Sequence, residues 1–446
     1  MMRSRTLNMT AGDPMRLLAI FAIPLLIGNV FQQAYNLVDS IVVGRFVGSS
    51  ALAAVGASNS VTFLFFSICN GISGGGGIVT AQFFGAGDGD SVKKSIANSA
   101  YITFGGSILM AVIAFAAAPI VLGWVGTPRD ILPDSILYMH VVCVGVPFVA
   151  VYNYAASMLR ALGDSRTPLL FLIFSSLLNV ALDLLFVRKM GMGVFGAAFA
   201  TILAQLTSGA SCLAFAFRTN AYFRLSRKHL RPDGQICRRA VRLGLPLALQ
   251  WSMIAVSSTA LQTVANSFGT TAVAAFTATN RIEQLVHQPY GSLSMSLSTY
   301  SSQNLGAERL DRIKLGFRRG LLISGAFSLL MFAVMQLFGG RIVGIFVTDP
   351  EVIALGGRGL RLTSWLYVFL GLINVTRGIL NGVGDVLFSM INGFVEMLTR
   401  IFLPMALLCL PGIGVSVIWW TSGLSWFISS AFCMLRYGTW DRRHPA

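Results

Sequence analysis

The stretch FLIFSSLLNVALDLLFV, Phe171–Val187, decides the class of this chain. It is an apolar run long enough to cross most of a bilayer as a helix, yet it carries Asn179 and Asp183. Four residues apart, these two share one helical face, one turn above the other. A carboxylate near the bilayer centre costs roughly 2.5–3.5 kcal/mol even on insertion scales. It persists only with a partner, a bound ion or a proton. The first apolar run, Leu17–Ile41, has the same anomaly at Asp39. Asp39 and Asp183 are therefore expected to meet inside a helical bundle and hold a cation.

Composition agrees. Of 446 residues 55% are hydrophobic and 11% charged, where a soluble chain carries about 25% charged residues. The mean hydropathy is +0.71. Repeated apolar runs of about 20 residues or more indicate an all-α polytopic membrane protein. The alternating pattern of a membrane β-barrel is not visible. A net charge of +16 invites a nucleic-acid reading, but the basic residues sit mainly in the connections between apolar runs, as topology requires. No nucleic-acid partner is expected. Arg3 and Arg5 precede a stretch too long for a signal h-region and without a small-residue cleavage site, so the first apolar run is read as a span. Cys69, Cys143, Cys212, Cys237, Cys409 and Cys433 are scattered and suggest neither a disulfide framework nor a metal cluster.

Twelve spans are predicted, near 17–41, 55–82, 96–123, 135–158, 167–187, 194–217, 240–263, 272–302, 316–338, 357–380, 386–410 and 412–435. Most of the 33 Lys and Arg residues fall in the connections on one side, which this bias makes cytoplasmic, with both termini. The other side holds Arg45, Arg129, Arg188, Lys189, Arg341, Arg358 and Arg361. The basic connection 218–239 divides an N-terminal lobe, 1–217, from a C-terminal lobe, 240–446.

The two lobes repeat one another. GRFVGSSALAAVG at 44–56 matches NSFGTTAVAAFTA at 266–278, AQFFGAG at 81–87 matches SQNLGAE at 302–308, and LRALGD at 159–164 matches LNGVGD at 380–385. Gly48 thus pairs with Gly269, Gly85 with Gly306 and Gly163 with Gly384, each at an offset of 221. One register over three separate motifs marks a tandem duplication. Six spans per copy is an even number, so both lobes share one orientation and are related by a pseudo-two-fold axis along the membrane normal.

At this point the chain resembles the multidrug and toxic compound extrusion (MATE) family. The residues that carry the resemblance are PLLIGNVFQQAYNLVDSIVVGRFVGSSALAAVG at 24–56, AQFFGAGDGD at 81–90, LRALGDSRTP at 159–168, and the repeated SQNLGAE and LNGVGD. It implies two six-helix lobes that export organic compounds, often cationic, against Na⁺ or H⁺ by alternating access. The setting implied is a bacterial cytoplasmic membrane, with no cofactor and a monomeric chain. It further implies a first-lobe cation site made of Asp39, Asn179, Asp183 and Thr201. The carboxylate that some relatives carry in span 7 falls on Gln250 here.

The other polar residues of the spans are read beside that site. Gln32, Tyr35 and Asn36 share a face with Asp39 and form an inward polar stripe. Two acids in one low-dielectric pocket titrate as a unit, and the same oxygens serve a proton or Na⁺. Tyr35, Tyr152 and Tyr154 offer ring faces to a cationic substrate. Pro24 removes a backbone hydrogen bond within span 1 and marks a hinge. In the second lobe Arg281, Glu283, Glu396 and Arg400 are read as two acids and two bases that neutralise one another, the alternative being a cation-contacting role for Glu283 or Glu396, with Glu283 also a candidate for the substrate pathway. Glu396 and Arg400 have intrahelical ion-pair spacing. His287 is read as a hydrogen-bonded core residue. Gly74–Gly77 lacks the Lys-Ser/Thr of a phosphate loop and reads as close helix packing.

Two alternatives compete. A lipid-linked precursor flippase of the same superfamily needs basic residues for a pyrophosphate, where the first lobe has acids. An intramembrane prenyltransferase-like enzyme needs paired aspartates at a membrane face for Mg²⁺, whereas Asp39 and Asp183 are lone acids on separate spans.

Overall fold

The computed structural model describes residues 6–124 and 127–444. They form thirteen α-helices, with no strand among the described residues. In chain order these are α1 (Pro14–Phe46), α2 (Ser49–Gly85), α3 (Gly89–Trp124), α4 (Leu132–Ala161), α5 (Arg166–Asp183), α6 (Gly193–Thr219) and α7 (Gly234–Asn266). They continue as α8 (Thr270–Gly306), α9 (Leu310–Val343), α10 (Pro350–Ser364), α11 (Tyr367–Gly382), α12 (Val386–Leu408) and α13 (Val417–Arg443). Helices α10 and α11 meet at a 52° bend and count as one broken span. The fold is then the all-α, twelve-span arrangement expected from the sequence. The helices carry apolar residues outward, as lipid demands: on α9, Leu322, Leu329 and Leu337 are 56%, 70% and 74% exposed.

Two compact units emerge, and each takes a leg from the other half of the sequence. One comprises Ile23–Leu249 with the residues just before Met9; the other comprises Met9–Ala22 and the chain from Gln250 onward. The boundaries therefore fall inside α1 and α7. In the second unit the start of the chain is clamped by side chains of the C-terminal half. Arg312 donates to the carbonyls of Met9 (3.2 Å) and Gly12 (2.9 Å), and Ser296 to that of Leu18 (3.1 Å). In the first unit the start of α7 lies on α2 through small residues. A Cβ on Gly75 would stand 2.2 Å from the Ala240 carbonyl oxygen, and one on Gly71 2.6 Å from Ala248. The run Gly74–Gly77 is therefore a close-packing surface, the use of small residues typical of membrane helices.

The basic connection before α7 is pinned rather than loose. Asn98 accepts from the Asp233 amide at 2.7 Å, and Tyr101 donates to the Leu230 carbonyl at 2.6 Å. Asp90, in the first turn of α3, takes Lys228 (2.5 Å) and His229 (2.9 Å). Hydrogen bonds from Lys228 and then His229 hold its carboxyl below the usual carboxylate range.

The duplication is written in the backbone. Gly48 (φ 122°) and Gly269 (φ 88°) open α2 and α8, and Gly163 (φ 83°) and Gly384 (φ 91°) close α4 and α11. Gly87 (φ 74°) has its repeat partner at Glu308, whose φ is 56°. No other non-glycine among the described residues has a positive φ. A left-handed conformation costs an L-residue roughly 1–2 kcal/mol that glycine is spared. Gly87→Ala is expected to lower the melting temperature of the purified protein, while Glu308→Gly leaves it unchanged or raises it. Thermal unfolding of both variants in detergent checks the pair.

Candidate functional site

Helices α1, α5 and α6 bring the expected residues of the first unit together. Asp39 of α1 and Asp183 of α5 present their carboxyl groups to one another within hydrogen-bonding reach. Two carboxyls can share such a bond only if one proton lies between them. Asn179, one turn earlier on α5, is buried and donates Nδ2 to Thr201 Oγ1 of α6 at 3.3 Å. Thr201 in turn donates to the Ala197 carbonyl at 3.2 Å. Its hydroxyl proton is spent on its own helix, and its lone pairs face Asn179.

What distinguishes this cluster is the set of atoms left over. Asp39 Oδ1, both oxygens of Asp183, Asn179 Oδ1 and Gln205 Oε1 are sealed from solvent, and no protein donor reaches them. All five are acceptors. An acceptor-only cluster in a low-dielectric interior is costly unless a cation or proton fills it. Beside it, Val42, Val43, Val187, Val194 and Tyr138 belong to one apolar core cluster. Immediately after Asp183 the chain winds as a π-helix over Leu184–Lys189, a distortion that recurs at functional positions. Among the described residues no group of three or more His, Cys, Asp or Glu is placed to hold a metal ion, so an ion at this cluster would take amide and hydroxyl oxygens beside the two acids.

The remaining expected residues divide. Tyr35 lies beside the cluster, near Gln32 of its own helix and Gln205 of α6. Gln32 and Asn36 are exposed, so the stripe on α1 has one edge inside the cluster and one edge open. Tyr152 and Tyr154 are not open ring faces. Both are buried, with hydroxyls donated to the carbonyls of Pro168 (3.0 Å) and Ile96 (2.7 Å). Helical periodicity puts a tyrosine on a face; it does not say whether that face meets a pathway or a neighbouring helix. Pro24 is buried within an unbroken α1. Tyr138 and Gln205 went unnoticed in the sequence because both are uncharged polar groups, which membrane helices carry at little cost, on α4 and α6.

The second unit has a different polar interior. Glu396 receives Arg377 Nη2 and Arg400 Nη2, each at 2.9 Å. Arg377 also donates to Asn392 (2.7 Å), and Arg400 to Ser425 (3.3 Å) and Ser257 (3.2 Å). The expected Glu396–Arg400 pair is present, but the second base is Arg377 of α11; Arg281 is exposed. Arg377 lies three residues before the LNGVGD turn and so reads in sequence as a flanking charge. Gln250 is buried against Gly393 and its Oε1 lacks a protein partner. His287 lies edge-on to Trp426, ring centres 5.7 Å apart.

The family model MatE matches residues 24–185 and again 246–406. The chain belongs to the MatE family of transporters. It is similar to Probable multidrug resistance protein YoeA of Bacillus subtilis (strain 168), 28% identical over 83% of this chain and 82% of that one. YpnP of the same strain, also described as a probable multidrug resistance protein, is 27% identical over 97% of both chains. A solved structure described as the outward-facing conformation of a multidrug resistance MATE family transporter superposes with a TM-score of 0.91 at 21% identity, covering 100% of each chain. As a MatE-family member the chain is a transporter and not an enzyme. The two matched halves begin at helix-interior prolines, Pro24 of α1 and Pro246 of α7. At the 221-residue offset, Arg400 replaces Asn179 and Glu396 replaces Ser175. The two copies have thus diverged from an acceptor cluster in one unit to an arginine-rich one in the other.

Removing one partner of a buried ion pair costs about 3–5 kcal/mol, because the survivor stays buried and underpaired. Arg377→Ala is accordingly expected to lower thermal stability strongly, and Arg377→Met combined with Glu396→Gln and Arg400→Met to recover most of the loss. Melting curves of the single and triple variants measure the difference.

Proposed function

We propose that this protein is a monomeric, ion-coupled antiporter of a bacterial cytoplasmic membrane, with both termini cytoplasmic, exporting amphipathic cationic organic compounds by alternating access. The observation that supports it is the pair of carboxyls, Asp39 and Asp183, facing each other among sealed oxygens that no protein donor reaches. Such a cluster is stable with a proton shared between the acids, or with Na⁺ held by the carboxylates, the Asn179 carbonyl oxygen and the Thr201 hydroxyl. Emptied, it carries uncompensated charge and has a strong reason to rearrange. Pro24 interrupts the hydrogen-bond ladder of the helix that carries Asp39, so filling the cluster changes how α1 bends. Gln32 and Asn36, on the open edge of the stripe, are the polar groups a cationic substrate meets. Multidrug names among the relatives agree with this cargo. Ion and drug would then compete, directly or through α1, for the same negative charge.

The test is efflux of a fluorescent organic cation from proteoliposomes under a pure pH gradient and under a pure Na⁺ gradient. Asp39→Asn and Asp183→Asn are each expected to cut gradient-driven efflux about tenfold or more, the scale of a coupling free energy of 1–3 kcal/mol. Wild-type rates in both variants would refute the reading. The gradient that sustains efflux in the wild type names the ion.

A further inference from the structure

At one end of the second unit three segments converge: the close of α8, the turn between α11 and α12, and the last turns of α13. They enclose a cavity of about 320 Å³ whose lining includes Leu305, Asp385, Arg436, Trp440, Arg443 and His444. Ligand sites run from roughly 300 to 1,000 Å³, so this one has room for a head group rather than for a large organic molecule.

Charge is the first observation. Asp385 is the one acid in the lining, and its Oδ2 already receives Arg436 Nε at 2.7 Å. Asp385 is also the N-cap residue of α12, yet its side chain caps no amide of that helix, so the positive end of α12 is left uncapped. Asp441, the other acid in the last turns of α13, is paired with Lys314 at 2.8 Å. Arg443 is exposed, and no acid among the described residues pairs with it. The lining thus sets two guanidiniums against one carboxylate. Other donors at the cavity are in use. The Gly384 and Asp385 amides go to the carbonyls of Asn381 (3.1 Å) and Leu380 (2.8 Å), and the Thr439 hydroxyl to that of Arg436 (2.7 Å). The donors that remain belong to the guanidiniums, which match the oxygens of a phosphate in pairs.

What borders the cavity is the second observation. Next to Val386 and Arg436 stand Leu387 of α12 and Leu435 of α13, 57% and 71% exposed. Phe388 and Phe432 stack between the same two helices, ring centres 4.9 Å apart. Trp440, its ring stacked on His444 with centres 5.0 Å apart, forms an aromatic wall. A basic recess therefore gives way, within one or two residues, to side chains suited to acyl chains, with an indole at the boundary where membrane proteins concentrate them.

From this geometry we infer that the cavity binds the phosphate of an anionic phospholipid, whose acyl chains lie along Leu387 and Leu435. A free phosphate shares the recognised group but makes no use of the apolar border. A zwitterionic lipid brings a cation of its own to a recess that already has excess positive charge. Such a site stands beside the antiporter reading and does not depend on it. Only its leaflet does: with the cytoplasmic termini proposed above, the lipid belongs to the cytoplasmic leaflet, where anionic head groups attract basic segments.

Native mass spectrometry of the purified, full-length protein in neutral detergent, titrated with phosphatidylglycerol and with phosphatidylcholine, tests the site. Phosphatidylglycerol is expected to bind about tenfold or more tightly than phosphatidylcholine, the scale of one or two guanidiniums near an anionic lipid. Arg443→Gln is expected to remove most of that preference, and so is Thr439→Glu, which puts an acid into the lining and serves should the first variant fail to fold. Arg358→Gln, which removes an exposed arginine of α10 outside the cavity, is expected to leave the preference intact. Inorganic phosphate at the lipid's concentration is expected to displace none of the bound lipid. Equal affinity for the two lipids, or wild-type affinity in both cavity variants, overturns the site. An equal loss in Arg358→Gln reduces it to the general attraction of a basic protein, and displacement by inorganic phosphate makes the occupant a free anion; either result removes the lipid site. Efflux in Asp39→Asn and Asp183→Asn decides the antiporter reading separately.

Discussion

Desolvated negative charge is the constraint on which the rest of the structure turns. Two acids from α1 and α5 are held together where neither has a donor of its own, and the helices around them supply further acceptors. Nothing about helix packing alone requires this. Apolar side chains at 39 and 183 would seal the same space more stably. The fold therefore carries a local instability that a cation or a proton would relieve.

The duplicated design makes that instability asymmetric. Both copies keep the same backbone devices, with positive-φ glycines at matching turns, so the architecture is under common conformational control. Their polar interiors have separated. Where the first copy places Asn179, the second places Arg400, and the acid one turn earlier is Glu396, locked between two guanidiniums. One unit is left hungry for positive charge and the other largely satisfied.

Much of this could be read from the amino acids. Acids stranded in apolar runs are conspicuous because the membrane makes them expensive, so Asp39 and Asp183 announced themselves, and their i, i+4 neighbours followed from helical geometry. The repeat was legible because glycine at a left-handed turn has few substitutes; Glu308 shows what happens when one is used. Less was legible where the signal depends on what faces a helix. Tyr152 and Tyr154 sit in ordinary core despite their suggestive position. Arg377 passed for a flanking charge because a span boundary is uncertain by about a turn. The break between α10 and α11 has no proline at its centre, and the π-helix after Asp183 has no motif. Both are set by tertiary packing, which propensity does not encode.

The pinned connection before α7 has a mechanical corollary. Asn98, Tyr101 and Asp90 fasten this basic segment to α3, so its contour length is not slack that can be drawn out. The start of the chain is similarly lashed down by Arg312. Within helices, the chain passes from one unit to the other near Ala22 in α1 and Leu249 in α7. Each of those points lies within four residues of a proline in mid-helix.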